Sequence, residues 1–420
     1  MLRSCGFVAA SAARAFSRHV NAASSVPQRV SLAESDHLLS VDWKDGHSSA
    51  YPLVWLLDNC PSRINSGNGQ RVGRLTRREL RLRAASVSLE KGRLVVRWEN
   101  GELSVFPVDW LRRHCFSPTS RHAFVSDHAD DAKLWDADRI RRELFTCAFA
   151  DVIADDAVLF RLLFNLDNVG ICLIKEAPKT EGQLARLCAR VGFVRETHYG
   201  TYFTVKSKEN PNNNAYTSSA LDLHVDLPQI TRTPDFQFLH CITQAGEGGE
   251  NCFVDGFRVA QVLRDKYPDD YYLLTTTKLQ YTDRGCEPDT GLLFHNTTMR
   301  CPIELASNGD VKRVYINNHT RSSFIDADPK KILRVYEAWT RFYDLSYEAR
   351  HLFRIKLTSG DVICFKNSRV LHGREAFTGR SAIERHLQGC YMDEDVVRSK
   401  LLSIRDAVSN KQQVDNQAAA

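Results

Sequence analysis

The sequence predicts a mainly β protein with helices, of the α+β class, with a small β-rich unit ahead of a larger sandwich or barrel. Three observations support this prediction. Short strand-like runs dominate from Tyr199 onward, helical periodicity is confined to a few segments, and an Asn-Gly pair separates two apolar runs near residue 100. Many short strands with few helices are typical of sandwiches and barrels.

The composition is that of an ordinary globular protein. The 420 residues are 43% hydrophobic and 25% charged, which allows a large core without disulfide bonds. The formal net charge of +5 has one basic segment, 74–83, where a glutamate at helical spacing favours a solvated face over a nucleic-acid site. No apolar run reaches the roughly 18 residues that span a bilayer. Twelve scattered cysteines without a CxxC pair predict reduced thiols in an intracellular protein.

The first 30 residues have the composition of a mitochondrial transit peptide. They contain several arginines, many alanines and serines, and no acid. Transit peptides are basic and amphipathic rather than apolar. We therefore predict a transit peptide over residues 1–30 and a location in the mitochondrial matrix, with a cytoplasmic protein as the alternative.

Residues 37–118 are predicted to form the small β-rich N-terminal domain. The runs 93–98 and 103–111 flank Asn100-Gly101, and Asn-Gly favours a hairpin because both residues tolerate the positive φ of a primed turn. A linker follows at 117–133, and the larger domain is predicted over 140–405. The polar segment 406–420 is predicted to be a disordered tail. The sequence alone suggests no internal repeat.

Three segments of the larger domain have the apolar spacing of helices, namely 158–170, 180–192 and 328–345. Strand-like runs surround the last of these. They are DFQFLHCI, NCFVDGF, RVYINNH and FRIKLTSGDVICF.

The segment LDLHVDLP places His224 and Asp226 two residues apart in an alternating strand. Side chains two apart point to the same side of a sheet, so one imidazole and one carboxylate can converge. His372 follows another strand far downstream. Two histidines and one carboxylate form the facial triad of non-haem Fe(II) oxygenases. His-x-Asp on a surface strand is common by chance, so His372 and its surroundings decide the interpretation.

Arg385 follows His372 at the start of a further strand-like run. A guanidinium there can hold the far carboxylate of 2-oxoglutarate through two hydrogen bonds, while the 2-oxo acid end chelates iron. Taken alone, Arg385 would be interpreted as a surface ion pair. Aromatic residues also flank the triad, at Tyr199, Phe203, Tyr216 and Tyr391. Grouped rings suit a quaternary ammonium through cation–π attraction, although any single ring is more often part of a core.

These residues resemble those of the γ-butyrobetaine and trimethyllysine dioxygenases, a family of Fe(II)- and 2-oxoglutarate-dependent oxygenases. The resemblance extends from about residue 51 to residue 405. It rests on the motifs YPLVWLLDNCP, NNNAYTSSALDLHVDLP, FLHCI, VDGF, INNHTR, VLHGREAF and RHLQGCY.

The resemblance implies a double-stranded β-helix (jelly-roll) catalytic domain behind a small N-terminal domain, in a homodimer. It implies iron bound by His224, Asp226 and His372, and 2-oxoglutarate bound by Arg385 with Asn251 nearby. The implied substrate residues are an aromatic cage of Tyr199, Phe203, Tyr216 and Tyr391 and the carboxylate-binding amides of Asn213 and Asn317. Ascorbate would serve as a reductant for the iron.

This sequence departs from the family pattern at two places. Relatives usually have Trp at the position of Phe203, so the cage should bind a cation modestly less tightly. Relatives also hold a structural zinc with three close cysteines and a later histidine. Here Cys60 remains, but Ser62 and Asn65 stand at the other thiol positions. Structural zinc needs about four N or S ligands, so we expect none to be bound.

The two substrates of the family share a trimethylammonium head and differ at the other end. An amide at Asn213 can donate to the bare carboxylate of γ-butyrobetaine, where trimethyllysine enzymes carry an aspartate. The long spacing from His372 to Arg385 also matches the γ-butyrobetaine enzymes. We therefore expect hydroxylation of γ-butyrobetaine at C3 to L-carnitine, with succinate and CO₂ as co-products and O₂ consumed.

Two alternatives remain. Trimethyllysine 3-hydroxylation by the same mechanism is favoured by the predicted transit peptide, because that step is mitochondrial in animals. The other alternative is a non-catalytic betaine-binding or scaffold protein on the same fold, which the presence of all three metal ligands disfavours.

Overall fold

The computed structural model describes residues 26–33, 37–118, 120–121, 132–206, 217–287, 291–378 and 385–418. The chain divides into two compact units, Met1–Asp130 and Asp131–Ala420. Asn213 and Tyr216 lie outside the described residues, as do most of the predicted transit peptide and most of the predicted linker. Among the helices that the structure describes, none combines the length and apolar composition needed to cross a bilayer.

The first unit contains two three-stranded antiparallel sheets, each followed by a short helix. The first sheet has β1 (Pro27–Ala33), β2 (Leu38–Trp43) and β3 (Ser48–Pro52), then the helix Leu53–Asp58. The second has β4 (Ala84–Glu90), β5 (Arg93–Trp98) and β6 (Leu103–Pro107), then the helix Val108–Arg113. Short 3₁₀ turns lie at Pro61–Arg63 and Glu79–Arg81. Strand β1 begins within the segment predicted as a transit peptide.

The predicted hairpin at Asn100-Gly101 is confirmed, but its turn differs from the prediction. The Trp98 N–H donates to the Glu102 carbonyl at 3.0 Å, which leaves three residues in the loop. Gly101 has a φ of +86°, and Asn100 is not among the residues with positive φ. A three-residue loop closed by a left-handed glycine is the next most common hairpin after the two-residue primed turn. The signal therefore predicted the hairpin correctly, but the turn is not the primed type.

The first unit also contains an internal repeat, so the expectation of none is wrong. Its first half and second half match at a constant spacing, which pairs Trp43, Gly46, Ser49, Pro52, Trp55 and Cys60 with Trp98, Gly101, Ser104, Pro107, Trp110 and Cys115. The indole N–H of Trp43 donates to Ser49 Oγ, and that of Trp98 to Ser104 Oγ, both at 2.8 Å.

The two copies face each other across the helices that end them. The corresponding rings of Trp55 and Trp110 stack on one another with centroids 5.3 Å apart and an interplanar angle of 23°. Tyr51 lies 5.8 Å from Trp55, and Phe106 lies 5.7 Å from Trp110, in matching stacked arrangements. Contact between equivalent residues indicates that an approximate two-fold axis relates the copies.

Cys115, the second-copy counterpart of Cys60, has polar neighbours. Its Sγ lies 2.8 Å from Ser120 Oγ, 3.3 Å from Ser117 Oγ and 3.6 Å from His47 Nε2. Burial alone would raise the pKa of this thiol, but the two hydroxyls and the imidazole lower it to about 6. A cysteine with a lowered pKa carries more thiolate at neutral pH than a free cysteine does.

The second unit is built on two sheets. The six-stranded sheet has the order β7 (Phe145–Ala148), β8 (Ile171–Lys175), β20 (Val362–Lys366), β11 (Phe236–Thr243), β23 (His386–Met392) and β9 (Phe203–Lys206). The four-stranded sheet has the order β10 (Leu221–His224), β21 (Val370–Arg374), β13 (Asn251–Asp255) and β19 (Phe353–Ile355). All these pairings are antiparallel except that of β7 with β8.

The two sheets face each other across a common core. Leu239, Ile363 and Phe365 from the six-stranded sheet pack with Phe253 and Phe353 from the four-stranded sheet. From β20 onward the chain alternates between the sheets, since β20 and β23 belong to one and β21 to the other. Two facing antiparallel sheets connected in this way are the architecture of a jelly roll, so the predicted fold class is confirmed.

Smaller strands and helices complete the second unit. The strands are β12 (Glu247–Gly248), β14 (Leu279–Cys286), β15 (Leu293–Arg300), β16 (Ile303–Leu305), β17 (Val311–Val314), β18 (Arg321–Ile325) and β22 (Phe377–Thr378). The helices are Ala137–Glu143, Phe149–Ala154, Asp156–Asn168, Gln183–Val191, Gly256–Lys266, Pro268–Thr276, Ile332–Tyr347 and Glu394–Ala418, with a 3₁₀ turn at Pro329–Lys331. The three predicted helices are among them.

Two helical segments differ from the sequence prediction. The run NCFVDGF is a strand only as far as Asp255, whose Oδ1 accepts a hydrogen bond from the Phe257 N–H at 3.1 Å and begins the helix Gly256–Lys266. The helix Glu394–Ala418 also continues through most of the predicted tail 406–420. No glycine or proline interrupts that stretch, so its polar composition does not prevent a helix.

Candidate active site

The three predicted metal ligands meet between the two sheets. His224 ends β10 and is the direct partner of His372 in β21, and Asp226 follows β10 by two residues. Asp226 Oδ1 lies 3.2 Å from His224 Nε2 and 3.6 Å from His372 Nε2. Their candidate ligand atoms all lie within 4.8 Å of one another, and among the described residues no other such group of three or more is found.

Both imidazoles can present Nε2 to a metal ion. His224 Nδ1 lies 2.7 Å from the Asp222 carbonyl, which can only accept, so Nδ1 carries the proton and Nε2 keeps its lone pair. Burial lowers the pKa of His372 to about 3, so its ring is neutral at pH 7. Two neutral imidazoles with one carboxylate are the ligand set of non-haem Fe(II) sites, and three further positions of an octahedron stay open.

Asp226 is held at its backbone and at its side chain. Asn367, which is fully buried, accepts from the Asp226 N–H at 2.7 Å and donates to the Asp226 carbonyl at 3.0 Å. Tyr391 donates its hydroxyl to Asp226 Oδ2 at 2.7 Å. The next residue, Leu227, has a φ of +59°, a strained conformation that the Asn367 contacts help to maintain. No pattern in the sequence predicted the role of Asn367.

The metal-ligand group opens into a cavity of about 120 Å³ between the sheets. Every predicted site residue that the structure describes lines this cavity: Tyr199, Phe203, His224, Asp226, Asn251, Asn317, His372, Arg385 and Tyr391. The predicted positions Asn213 and Tyr216 fall outside the described residues.

One part of the cavity is cationic. Arg385 and Arg374 are 3% and 5% exposed, and burial lowers the pKa of each to about 10. In the described part of the chain no carboxylate forms an ion pair with Arg385, and its Nε is buried without a hydrogen-bond partner. Asn251 Oδ1 is likewise buried without one. A buried guanidinium without an acid fits an anionic ligand, as the distal carboxylate of 2-oxoglutarate would be.

Other buried polar atoms of the cavity also lack a hydrogen-bond partner among the described residues. Gln229 Oε1, Gln237 Oε1 and Thr320 Oγ1 have none among the described residues. Buried polar groups in native proteins are nearly always hydrogen-bonded, so their concentration here indicates a site for polar ligands. None of the three was predicted from the sequence.

Aromatic rings form another wall of the cavity. Phe203 stacks on Tyr391 with centroids 5.0 Å apart, and Tyr199 is tilted 5.9 Å from Phe203. Phe203 lies over Gly389, its register partner in β23, where a Cβ would come within 2.3 Å of the ring. Three of the four predicted cage residues are thus brought together, in an arrangement that can bind a quaternary ammonium.

The side-chain amide of Asn317 already forms hydrogen bonds within the protein, which the sequence did not suggest. Its Nδ2 donates to the Val225 carbonyl at 2.9 Å, and its Oδ1 accepts from the N–H groups of His319 and Thr320 at 2.8 and 3.0 Å. A side-chain amide has two N–H groups, so one hydrogen remains for a ligand. Asn317 therefore fastens its own loop to the segment that carries the metal ligands.

The cavity contains a further carboxylate besides Asp226. Asp283 in β14 accepts from Gln229 Nε2 at 3.3 Å, and burial raises the pKa of the acid. Asp283 was not predicted. Its backbone neighbour Thr282 donates to the Thr320 carbonyl, which places it beside the loop of Asn317.

Comparisons with known proteins agree with this site. A model described as the taurine catabolism dioxygenase TauD, TfdA family matches residues 132–391. A second model, γ-butyrobetaine hydroxylase-like, N-terminal, matches residues 30–88.

Similar proteins cover almost the whole chain. The γ-butyrobetaine dioxygenase of Homo sapiens is 32% identical, over 91% of this chain and 98% of that protein. The enzyme of the same name from Pseudomonas sp. (strain AK-1) is 33% identical, over 87% of this chain and 94% of that protein. The mitochondrial trimethyllysine dioxygenase of Mus musculus is 27% identical, over 83% of this chain and 81% of that protein.

The predictions of a dioxygenase and of Fe(II) with 2-oxoglutarate are confirmed by the family match and the His–Asp–His group. The chain belongs to the TauD, TfdA family of dioxygenases and resembles its γ-butyrobetaine dioxygenases over nearly its full length.

Proposed function

We propose that this protein hydroxylates γ-butyrobetaine at C3 to give L-carnitine, consuming O₂ and 2-oxoglutarate and releasing succinate and CO₂. The observation that carries the proposal is one cavity that joins the His–Asp–His group, a buried arginine with no acid partner among the described residues, and stacked aromatic rings. The relatives that match over nine-tenths of the chain are named for the same substrate.

In this proposal His224, Asp226 and His372 hold Fe(II). With 2-oxoglutarate bound, the iron supplies the activation of O₂ that hydroxylation requires, and ascorbate can keep it reduced. The protein contributes the two lone pairs at Nε2 and a carboxylate that stays ionised. Burial would raise the pKa of Asp226, but the groups in contact with its carboxylate, among them the Tyr391 hydroxyl, hold it below the usual value.

Arg385 is the proposed anchor of 2-oxoglutarate. Its guanidinium can donate two parallel hydrogen bonds to the distal carboxylate, and burial makes that pairing strong because little water competes. The Nδ2 group of Asn251 can add a hydrogen bond beside it, and this pair fixes the direction in which the 2-oxo acid end points.

The substrate would lie between the rings and the amides. Tyr199, Phe203 and Tyr391, with Tyr216, bind the trimethylammonium group by cation–π attraction, which needs no hydrogen-bond donor from the ligand. Asn317 and Asn213 donate to the carboxylate. Fixing both ends of a short chain determines which carbon faces the metal, and position then decides the product.

Trimethyllysine hydroxylation is a second candidate because of one residue. Asp283 offers the cavity a carboxylate that could pair with the α-ammonium of trimethyllysine, whereas γ-butyrobetaine has no such group. The identity levels favour γ-butyrobetaine, at 32–33% against 26–28% for the named trimethyllysine enzymes. An Asp283→Asn variant should leave γ-butyrobetaine turnover in place and lower any turnover of trimethyllysine.

We also propose the location and assembly of the protein. Residues 1–30 would direct it to the mitochondrial matrix, since relatives named trimethyllysine dioxygenase carry the word mitochondrial in their names. Residues 37–118 and 140–405 would be the N-terminal and catalytic domains, in a homodimer. Import assays with and without residues 1–30, and light scattering of the purified protein, test these two proposals.

The test of the function is direct. Purified protein with Fe(II), 2-oxoglutarate, ascorbate and O₂ should convert γ-butyrobetaine to L-carnitine and form one succinate for each carnitine, measured by mass spectrometry. No carnitine, with succinate formed only when trimethyllysine is present, would reject γ-butyrobetaine as the substrate.

A further inference from the structure

We infer that Tyr391 positions the iron-binding carboxylate of Asp226 through its hydroxyl, while its ring forms part of the aromatic cage. Tyr391 thereby connects the metal site with the cage. This inference rests on the proposed iron site. It assigns the hydroxyl and the ring of one side chain to separate tasks.

The contact between Tyr391 and Asp226 joins the two sheets of the jelly roll. Tyr391 lies in β23 of the six-stranded sheet, and Asp226 follows β10 of the four-stranded sheet. The Tyr391 hydroxyl donates to Asp226 Oδ2 at 2.7 Å, and Tyr391 is 2% exposed. An ionised carboxylate only accepts, so the tyrosine must be the donor.

This hydrogen bond fixes which oxygen faces the metal position. With Oδ2 bound to Tyr391, the other oxygen, Oδ1, is the one that lies near both imidazoles. Asn367 fixes only the backbone of Asp226, so the rotation of the carboxylate group about its last bond is set by Tyr391. A carboxylate free to rotate could bind a metal through both oxygens and would then occupy a position that 2-oxoglutarate or O₂ needs.

Hydrogen bonds from outside the ligand shell have known consequences for metal sites. They orient ligating carboxylates, and their loss typically costs about 10- to 100-fold in metal affinity or activity. Tyr391 is in the position to supply such a bond, while Phe203 at 5.0 Å in the same stack contacts the ring alone. The chain therefore offers a matched pair: one variant removes only the hydroxyl, and another removes only a neighbouring ring.

The experiment compares Tyr391→Phe with Phe203→Leu. Affinity for Mn(II), a redox-inert probe of the metal site, is measured in the absence of substrate, together with KM for the trimethylammonium substrate and the ratio of succinate to hydroxylated product. Tyr391→Phe should weaken Mn(II) binding by about 10-fold or more and raise succinate relative to product, with KM changed less than about threefold. Phe203→Leu should raise KM and leave Mn(II) binding unchanged.

Wild-type Mn(II) affinity and a wild-type succinate-to-product ratio in Tyr391→Phe would overturn the inference. If Tyr391→Phe does not fold, Tyr391→Leu, which loses both the ring and the hydroxyl, takes its place. It must weaken Mn(II) binding and raise the substrate KM. A change in KM alone rejects the role of the hydroxyl. Asp226→Ala separates this failure from a failure of the proposed iron site. Mn(II) binding that survives Asp226→Ala would mean that the metal lies elsewhere.

Discussion

His224 and His372 are directly opposed residues of the antiparallel strands β10 and β21, and their ring centroids lie 4.3 Å apart. Sheet pairing thus brings together two ligands that are far apart in the chain. Asp226 completes the group from the turn after β10. The register of β10 and β21 therefore determines the position of the two histidines. Their side chains line a cavity and do not fill the core.

Replacing any one of the three ligands by alanine should abolish turnover while the protein stays folded, because these side chains face a cavity and contribute little to core packing. Product formation and the thermal midpoint measure the two outcomes. His319→Ala is the matched control, since His319 also lines the cavity with its ring 5.5 Å from His224 but does not belong to the metal-ligand group. Full activity in any ligand variant would contradict the assignment.

Arg385→Ala should strongly raise the concentration of 2-oxoglutarate required for half-maximal rate. Removing one partner of a buried charge pair costs roughly 3–5 kcal/mol, which corresponds to about two to four decades in affinity. Arg385→Lys keeps the charge but not the two parallel hydrogen bonds, so it should recover only part of the loss. If the titration of Arg385→Ala matches that of the native enzyme, another group holds the cosubstrate.

Gly389→Ala should damage the aromatic cage without altering the metal ligands. The new Cβ would lie 2.3 Å from Phe203 Cζ, so the phenylalanine ring must move from its place against Tyr391. KM for the trimethylammonium substrate should rise while Mn(II) affinity stays the same. Gly246→Ala is the control, because its Cβ would meet nothing within 4 Å. An unchanged KM in Gly389→Ala would show that Phe203 does not contact the substrate.

The thiol of Cys115 should titrate with a midpoint near pH 6. Its pKa is lowered from an unfolded value of about 8.5, so the folded state is favoured once the thiolate forms. This stabilisation is fully present above the unfolded pKa and is lost as pH falls through about 6. The pH dependence of alkylation at Cys115, followed by peptide mass spectrometry, should show this midpoint. Ser120→Ala should move it upward, and a midpoint of 8 or above in the native protein would contradict the described environment.

The site residues that could be predicted from the sequence are those that short sequence motifs identify. The sequence pattern identified His224 and Asp226, although the strand β10 ends at His224 and Asp226 joins it from the following turn, so strand alternation is not what brings the two together. The motifs around His372 and Arg385 located the other half. Asn367 and the Tyr391–Asp226 hydrogen bond were not predictable in the same way, because each joins segments that meet only when the two sheets pack. The hydrogen bonds that Asn317 forms with Val225 and with its own loop likewise depend on tertiary geometry.

Two features of the fold were present in the sequence and were still missed. The repeat in the first unit is carried by Trp, Gly, Ser, Pro and Cys at matched positions, with many differing residues between them, and the paired Trp–Ser hydrogen bonds made it evident. The helix after Asp255 was hidden in an apolar run, although Asp followed by Gly is a plausible helix start. Short apolar runs do not distinguish a strand from the first turn of a helix.

The central claim concerns the substrate, and a competition between the two betaines tests it most directly. The kcat/KM values for γ-butyrobetaine and trimethyllysine are measured on the same enzyme preparation, with each hydroxylated product quantified by mass spectrometry. The cage, the amide of Asn317 and the identity to named γ-butyrobetaine dioxygenases predict the larger value for γ-butyrobetaine. A larger kcat/KM for trimethyllysine would contradict that claim and would make Asp283 the residue to examine first.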